Sequence, residues 1–302
     1  MSFEKQKEEM VRICHEIWEK GQAELILGFG VNEAAEFATP LFVRNKDDIG
    51  KLIWDGSCSP NLAKYVLAKK EKVAIVAKPC DIRALVMYMI EKQITRDQVI
   101  IIGMECPGMQ NGDNELHPWC AECKVHVPPI YNYLIKSENL VEQKKMEEPQ
   151  NSETSNANLE ANLQRLQAEL KKCIMCFSCR QACYGCYCTT CFMDRNIPNW
   201  QPNELDMGAK LNFHLGRFMH LAGRCVECGA CERVCPSGVK IRYIIKDLTD
   251  FCEKVYGYQA GLDPNEVPVL TAFEQNDKEF GFLGGEKFGN IKGSKCCDKA
   301  VG

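Results

Sequence analysis

Apolar positions along the first hundred residues follow two different periods. Met10, Cys14, Ile17 and Trp18 recur at steps of four, three and one, which predicts an amphipathic helix over residues 4–20. Residues 23–30 and 37–43 are short runs with strand propensity. Ser59 followed by Pro60 makes a cap and first-turn pair, predicting a helix over residues 61–71. Val73–Ala77 and Val99–Met104 are continuous apolar runs of strand length, and residues 82–92 between them read as a helix. Strand, helix and strand in that order predict a parallel β–α–β unit with a right-handed crossover.

Further along, the pattern changes. Residues 147–158, EEPQNSETSNAN, are polar and of low complexity, and read as a linker. Leu159, Leu163, Leu166 and Leu170 then mark one helix face, which must dock on its own chain or on a partner. Residues 253–302 are rich in glycine and lack periodicity, the pattern of an arm laid on a partner or of a frayed tail.

Charge narrows the function classes. Of 302 residues, 37 are basic and 41 acidic, a formal net charge of -4, so nothing favours nucleic acid. No apolar stretch approaches the roughly 20 residues that span a bilayer, so membrane insertion is not expected. The start, MSFEKQKEEM, is charged and has no apolar signal core, which leads us to expect a cytoplasmic location. The chain nevertheless carries 20 cysteines. Disulfides rarely persist in a reducing compartment, so closely spaced thiols there read as metal ligands.

The spacing of those thiols says which metal. Cys173, Cys176, Cys179 and Cys183 recur 52 residues later as Cys225, Cys228, Cys231 and Cys235. Both copies have the spacing C-x2-C-x2-C-x3-C. In two-cluster ferredoxins, three thiolates of such a run hold one 4Fe–4S cluster, and the fourth reaches the other. One cluster is therefore assigned to Cys173, Cys176, Cys179 and Cys235, and the second to Cys225, Cys228, Cys231 and Cys183. Pro236 follows the second run as the motif expects, whereas Tyr184 replaces proline after the first. Zinc is the alternative, but its sites usually use two separated ligand pairs.

A third set lies in the α/β portion. Cys80 follows the strand Val73–Ala77 and Cys106 follows Val99–Met104, so parallel strands would bring both to one carboxyl edge, where α/β proteins place ligands. Cys120 and Cys123 follow as a C-x2-C pair. This order, proline–cysteine after a strand, a strand ending in cysteine, then C-x2-C, resembles the beta-subunit family of deazaflavin-coenzyme hydrogenases and formate dehydrogenases. The resemblance implies a 4Fe–4S cluster on Cys80, Cys106, Cys120 and Cys123, beside a flavin. The other reading is zinc on Cys120 and Cys123, with His117 and His126 nearby. FAD is a cofactor that the resemblance allows but that we do not favour, because the α/β portion is short after Cys123. Gly28-Phe29-Gly30 has glutamate, Glu33, at the third glycine position of a phosphate-binding fingerprint.

Eight cysteines remain. Cys186, Cys188 and Cys191 are too densely spaced for packing alone; they would supply a fourth metal centre, completed by Cys58 or a carboxyl-terminal cysteine, or alternatives to Cys183. Cys14 and Cys252 read as small buried hydrophobes, and Cys296 and Cys297 as free thiols. His214 and His220 read as structural. Arg180, Arg224 and Arg233 stand beside assigned ligands and are candidates for raising cluster potentials, or else ordinary surface charge. No catalytic constellation stands out, so no catalytic residue is assigned.

The expected fold class is α/β: an N-terminal α/β domain with a β–α–β unit over residues 1–146, a linker and amphipathic helix over 147–172, an α+β two-cluster ferredoxin domain of bacterial type over 173–252, and an extended C-terminal arm over 253–302. The expected function is electron relay in an anaerobic multisubunit oxidoreductase, of hydrogenase, formate dehydrogenase or flavin-bifurcating, heterodisulfide-reductase-like type. Its partners would be the catalytic and flavin-containing subunits, with soluble ferredoxin as a further candidate. The alternative is a flavin-bearing subunit that reduces a soluble hydride carrier.

Overall fold

A computed structural model describes residues 3–32, 35–113, 115–138, 140, 159–195, 197, 205–267 and 269. The linker at 147–158, most of the glycine-rich arm, and Cys296 and Cys297 lie outside the described residues.

Helix α1 (Phe3–Glu19) buries Met10, Ile13, Cys14 and Ile17, the stripe that the sequence pattern marks. Strands β1 (Leu25–Asn32) and β2 (Ala35–Val43) pair antiparallel. β3 (Val73–Ala77) and β4 (Val99–Met104) pair parallel in register, from Val73 with Val99 to Ala77 with Gly103. Every residue of both strands is buried, as expected of a sheet covered on two faces. Helix α2 (Pro79–Ile90) joins them. With β5 (Tyr133–Ile135) the strand order is β2-β1-β3-β4-β5, so one antiparallel edge strand borders a parallel sheet.

Two expectations needed correction. α2 begins three residues earlier than the periodicity suggests, because Pro79 stands in its first turn and Asp81 accepts the Lys78 amide at 2.9 Å. The helix over 61–71 does not form; only a 3-10 turn, Ala63–Tyr65, is present. There the Leu62 amide donates to Asp81 Oδ1 at 3.0 Å, and Lys78 Nζ takes the Pro60 carbonyl at 2.8 Å. Tertiary partners have taken the groups that would have opened the helix. Gly28 and Gly30 lie inside β1, and Leu52 and Leu41 approach where their side chains would be.

The fifth strand, β5 (Tyr133–Ile135), gave no sequence signal and pairs with Ile102–Met104. It is only three residues long and follows a loop laid against Gly103, where a Cβ would stand 3.0 Å from Pro128.

The cysteine-rich segment is packed on this sheet domain. Helices α4 (Leu159–Lys171), α6 (Met207–Leu221) and α8 (Arg242–Tyr256) share a small core in which Leu166 and Leu170 meet Phe218, Leu221 and Ile245. Leu166 and Leu170 of the leucine face thus dock on the chain itself, while Leu163 is exposed. Tyr88 of α2 donates to the Tyr184 carbonyl at 2.7 Å, and its ring meets the Tyr184 ring edge-on. The tyrosine that replaces the expected proline is therefore part of this packing. Residues 1–270 make one compact unit. Among the described residues, no helix is long and apolar enough to cross a membrane.

Candidate metal centres

The two cysteine repeats have the same backbone. Met175 and Phe177 in the first, and Glu227 and Gly229 in the second, take left-handed conformations with φ of 54°, 59°, 56° and 69°. These are matching positions, each 52 residues from its counterpart. The Met175 amide donates to Cys173 Sγ at 3.4 Å, and the Glu227 amide to Cys225 Sγ at 3.4 Å. Short helices α5 (Ser178–Ala182) and α7 (Ala230–Arg233) start at the next residue in each case. A non-glycine residue held left-handed costs about 1–2 kcal/mol, so three of them mark loops that the surroundings impose.

In the first site, Cys173, Cys176, Cys179 and Cys235 line one cavity, with Cys231 on its wall. His214 Nε2 lies 3.4 Å from Cys173 Sγ. Burial, with Arg217 beside it, pushes the His214 imidazole down to about 4, so it remains neutral. In the second site, Cys183, Cys225, Cys228 and Cys231 lie close enough for their charges to act on one another. Cys186 shares a hydrogen bond with Cys183, which pulls the Cys183 thiol down and pushes Cys186 up.

In the third, Cys80, Cys106, Cys120 and Cys123 line a single cavity at the carboxyl edge of β3 and β4. Cys80 stands in the first turn of α2; helix α3 (Pro118–Ala121) carries Cys120. The wall of this cavity includes Cys228 of the second site. The two sites touch again where Trp119 packs over Gly229, with no room for a Cβ between them.

Burial dominates the chemistry of these thiols. It pushes Cys106 and Cys228 up to about 12 and Cys179 up to about 11. Such thiols keep their protons until a bound cation displaces them. The donor sets therefore fit iron–sulfur clusters, whose irons take one thiolate each at separate corners. Among the described residues, no three His, Cys, Asp or Glu side chains converge on a point suited to a single metal ion. The histidines of the zinc alternative are engaged elsewhere. His117 stacks on Trp119 with ring centroids 4.4 Å apart, and His126 meets the carbonyls of Cys106 and Cys123 at 2.7 and 3.0 Å.

The remaining thiols are dispersed. Cys191 pairs with Arg180, Cys188 is exposed, and Cys58 is buried beside Asp55 in the sheet domain. Cys14 and Cys252 are buried.

The arginines rearrange the sequence reading. Arg180 is tied to Asp194 at 2.9 Å, Arg224 to Glu91 at 2.5 Å, and Arg233 to the Ser59 carbonyl at 2.7 Å. Arg217, on α6, is 3% exposed. It lies among Cys183, Cys231, Cys179 and Cys186.

The chain is similar to beta subunits of F420-dependent formate dehydrogenases. It is 21% identical to the F420-dependent formate dehydrogenase subunit beta of Methanocaldococcus jannaschii, over 78% of this chain and 86% of that protein. A shorter match, 32% identical, links 24% of the chain to 19% of the F420-dependent formate dehydrogenase 1 subunit beta of Methanococcus maripaludis. No family model matches. This weak homology supports kinship with that beta-subunit family.

Proposed function

We propose that the chain is an electron-relay subunit of a formate dehydrogenase-type oxidoreductase, with three 4Fe–4S clusters arranged in a row. When bound, each cluster takes up and releases one electron at a time. The observation that carries the reading is the shared walls. Cys228 belongs to the second set and lines the third cavity, while Cys231 belongs to the second set and lines the first. The second set therefore stands between the other two. Around it, this chain's own residues hold thiolates, exclude water by burial, and supply charge through Arg217 and Lys78. Lys78 is 1% exposed, and its ammonium pairs with Asp81 at 2.9 Å and acts on Cys80 and Cys106.

The names of the relatives support a catalytic subunit as the main partner. Their F420-dependence favours a second reading, in which the chain also carries a flavin and exchanges electrons with a deazaflavin carrier. A yellow chromophore released by acid or heat is the expected sign of it, and colourless supernatant speaks against it.

The test of the relay is Cys106→Ala. Anaerobically purified wild type should hold about twelve irons, and the variant about eight, with the two repeat-borne signals intact in electron paramagnetic resonance. Unchanged iron with an unchanged spectrum removes the third cluster from this cavity, and the alanine then costs only about 1 kcal/mol as a small void.

A further inference from the structure

A buried guanidinium normally has its donors matched, since leaving a charge buried without partners costs several kcal/mol. Arg217 does not comply. It sits on α6 and is 3% exposed, and Nη2 donates to the Cys179 carbonyl at 3.2 Å. Nε and Nη1 have no hydrogen-bond partner. Beside the cost of burial, the groups that act on it most strongly are the thiols of Cys183, Cys231, Cys179 and Cys186. Cys179 belongs to the first assigned set, and Cys183 and Cys231 to the second. Two free N–H vectors therefore open between the two donor sets, in a place that water does not reach.

We propose that Arg217 is a positioning residue shared by the two repeat-borne clusters: Nε and Nη1 hold the negative charge of both, and so set their reduction potentials. This rests on the relay reading above. A 4Fe–4S cluster with four thiolates is an anion, and each one-electron reduction adds one further negative charge. No bond is made or broken in that step and no proton moves, because the guanidinium stays charged throughout. The electron comes from a low-potential one-electron donor, dithionite in the test below. A fixed buried cation favours the more negative state, so it raises the potential. Being shared, it also relieves the repulsion between two reduced clusters.

The experiment is an anaerobic redox titration with dithionite, followed by electron paramagnetic resonance, of the full chain as wild type, Arg217→Gln and Arg217→Lys. Iron is counted first: wild type lacking iron at the repeats is a failure of the relay reading, seen before any potential is measured. With iron present, Arg217→Gln should lower the equilibrium constant for reduction by on the order of tenfold, equivalent to about 59 mV. Arg217→Lys should recover part of that shift. Unchanged potentials in iron-replete Arg217→Gln overturn the proposal. Should that variant lose its iron, wild type grown with nitrogen-15 arginine decides the matter. A nitrogen hyperfine coupling at the reduced clusters is then expected, and its absence overturns the proposal equally.

Discussion

The first repeat leaves Cys176 exposed and Ile174 57% exposed, with Phe177 in the left-handed position before its short helix. The second has Gly229 there, and its Cys228 looks into the cavity of the sheet domain beneath Trp119. Backbone and sulfur geometry are otherwise common to both. A ligand loop is thus specified by its cysteine spacing, while the residues between the cysteines are specified by what covers the loop. Phenylalanine is tolerated where the loop faces its own helix α6, through an edge-on contact with Phe213 at 5.0 Å. Only glycine fits where the Trp119 indole lies on the chain.

The largest effect should come from exchanging that freedom. A Cβ at Gly229 would sit 2.1 Å from Trp119 Cδ2, and the left-handed φ adds its own strain. Gly229→Ala should cost about 2–4 kcal/mol and disturb the loop that carries Cys120 and Cys123, lowering iron content. Phe177→Ala, the matching change in the first repeat, should cost about 1 kcal/mol and leave the iron in place. Thermal melting with iron analysis reads both. Equal losses at the two positions would break the comparison.

A smaller contrast separates the ion pairs that flank the repeats. Glu91 holds Arg224 at 2.5 and 2.8 Å and accepts from the Tyr187 hydroxyl at 2.6 Å, with side chains 13% and 24% exposed. Its removal in Glu91→Ala strands two partners between the sheet domain and the second repeat, and should cost about 1–3 kcal/mol. Asp194, which holds Arg180 beside the first repeat, is 51% exposed. Asp194→Ala should cost no more than about 1 kcal/mol. Urea midpoints that ranked the two variants the other way would show that the second repeat is not anchored through Glu91.

How much of this was legible in the sequence depends on the range of the interactions involved. β3, β4 and their carboxyl edge could be read because buried parallel strands are locally apolar, and two chain positions then follow from topology. The repeats could be read because cluster ligands recur at fixed spacing. Residues 61–71 could not, since their backbone partners Lys78 and Asp81 come from another element. Arg217 was hidden for a similar reason: nothing in FHLGRFMHLAG says that the arginine points inward among thiols from two loops. The arginines adjacent to cysteines looked more promising, yet Arg180, Arg224 and Arg233 have all found oxygen partners. Arg233 nevertheless acts on Cys228 and Cys120, and Arg180 on Cys191, so these arginines keep an influence on thiols as well.

The smallest expected effect lies at the other left-handed position, which is Met175 in the first repeat and Glu227 in the second. Burial pushes the Glu227 carboxyl above its ordinary value; Lys246 and Arg83 oppose this, while Asp250 adds to it. A carboxyl with a raised folded value binds its proton more tightly in the folded chain than in the unfolded one. Its penalty is therefore absent below the unfolded value near 4.5, grows as pH rises through the folded value, and is complete above it. A bound anionic cluster acts in the same direction. Glu227→Gln should consequently match wild type near about pH 5 and exceed it by under about 1 kcal/mol near about pH 8, as read from urea midpoints of iron-replete protein. Met175→Gln carries no titrating group in either form and should show one pH-independent offset. If the gap between wild type and Glu227→Gln stayed constant across that range, the second repeat would bear no charge cost at this position, and the two left-handed sites would differ in side-chain shape alone.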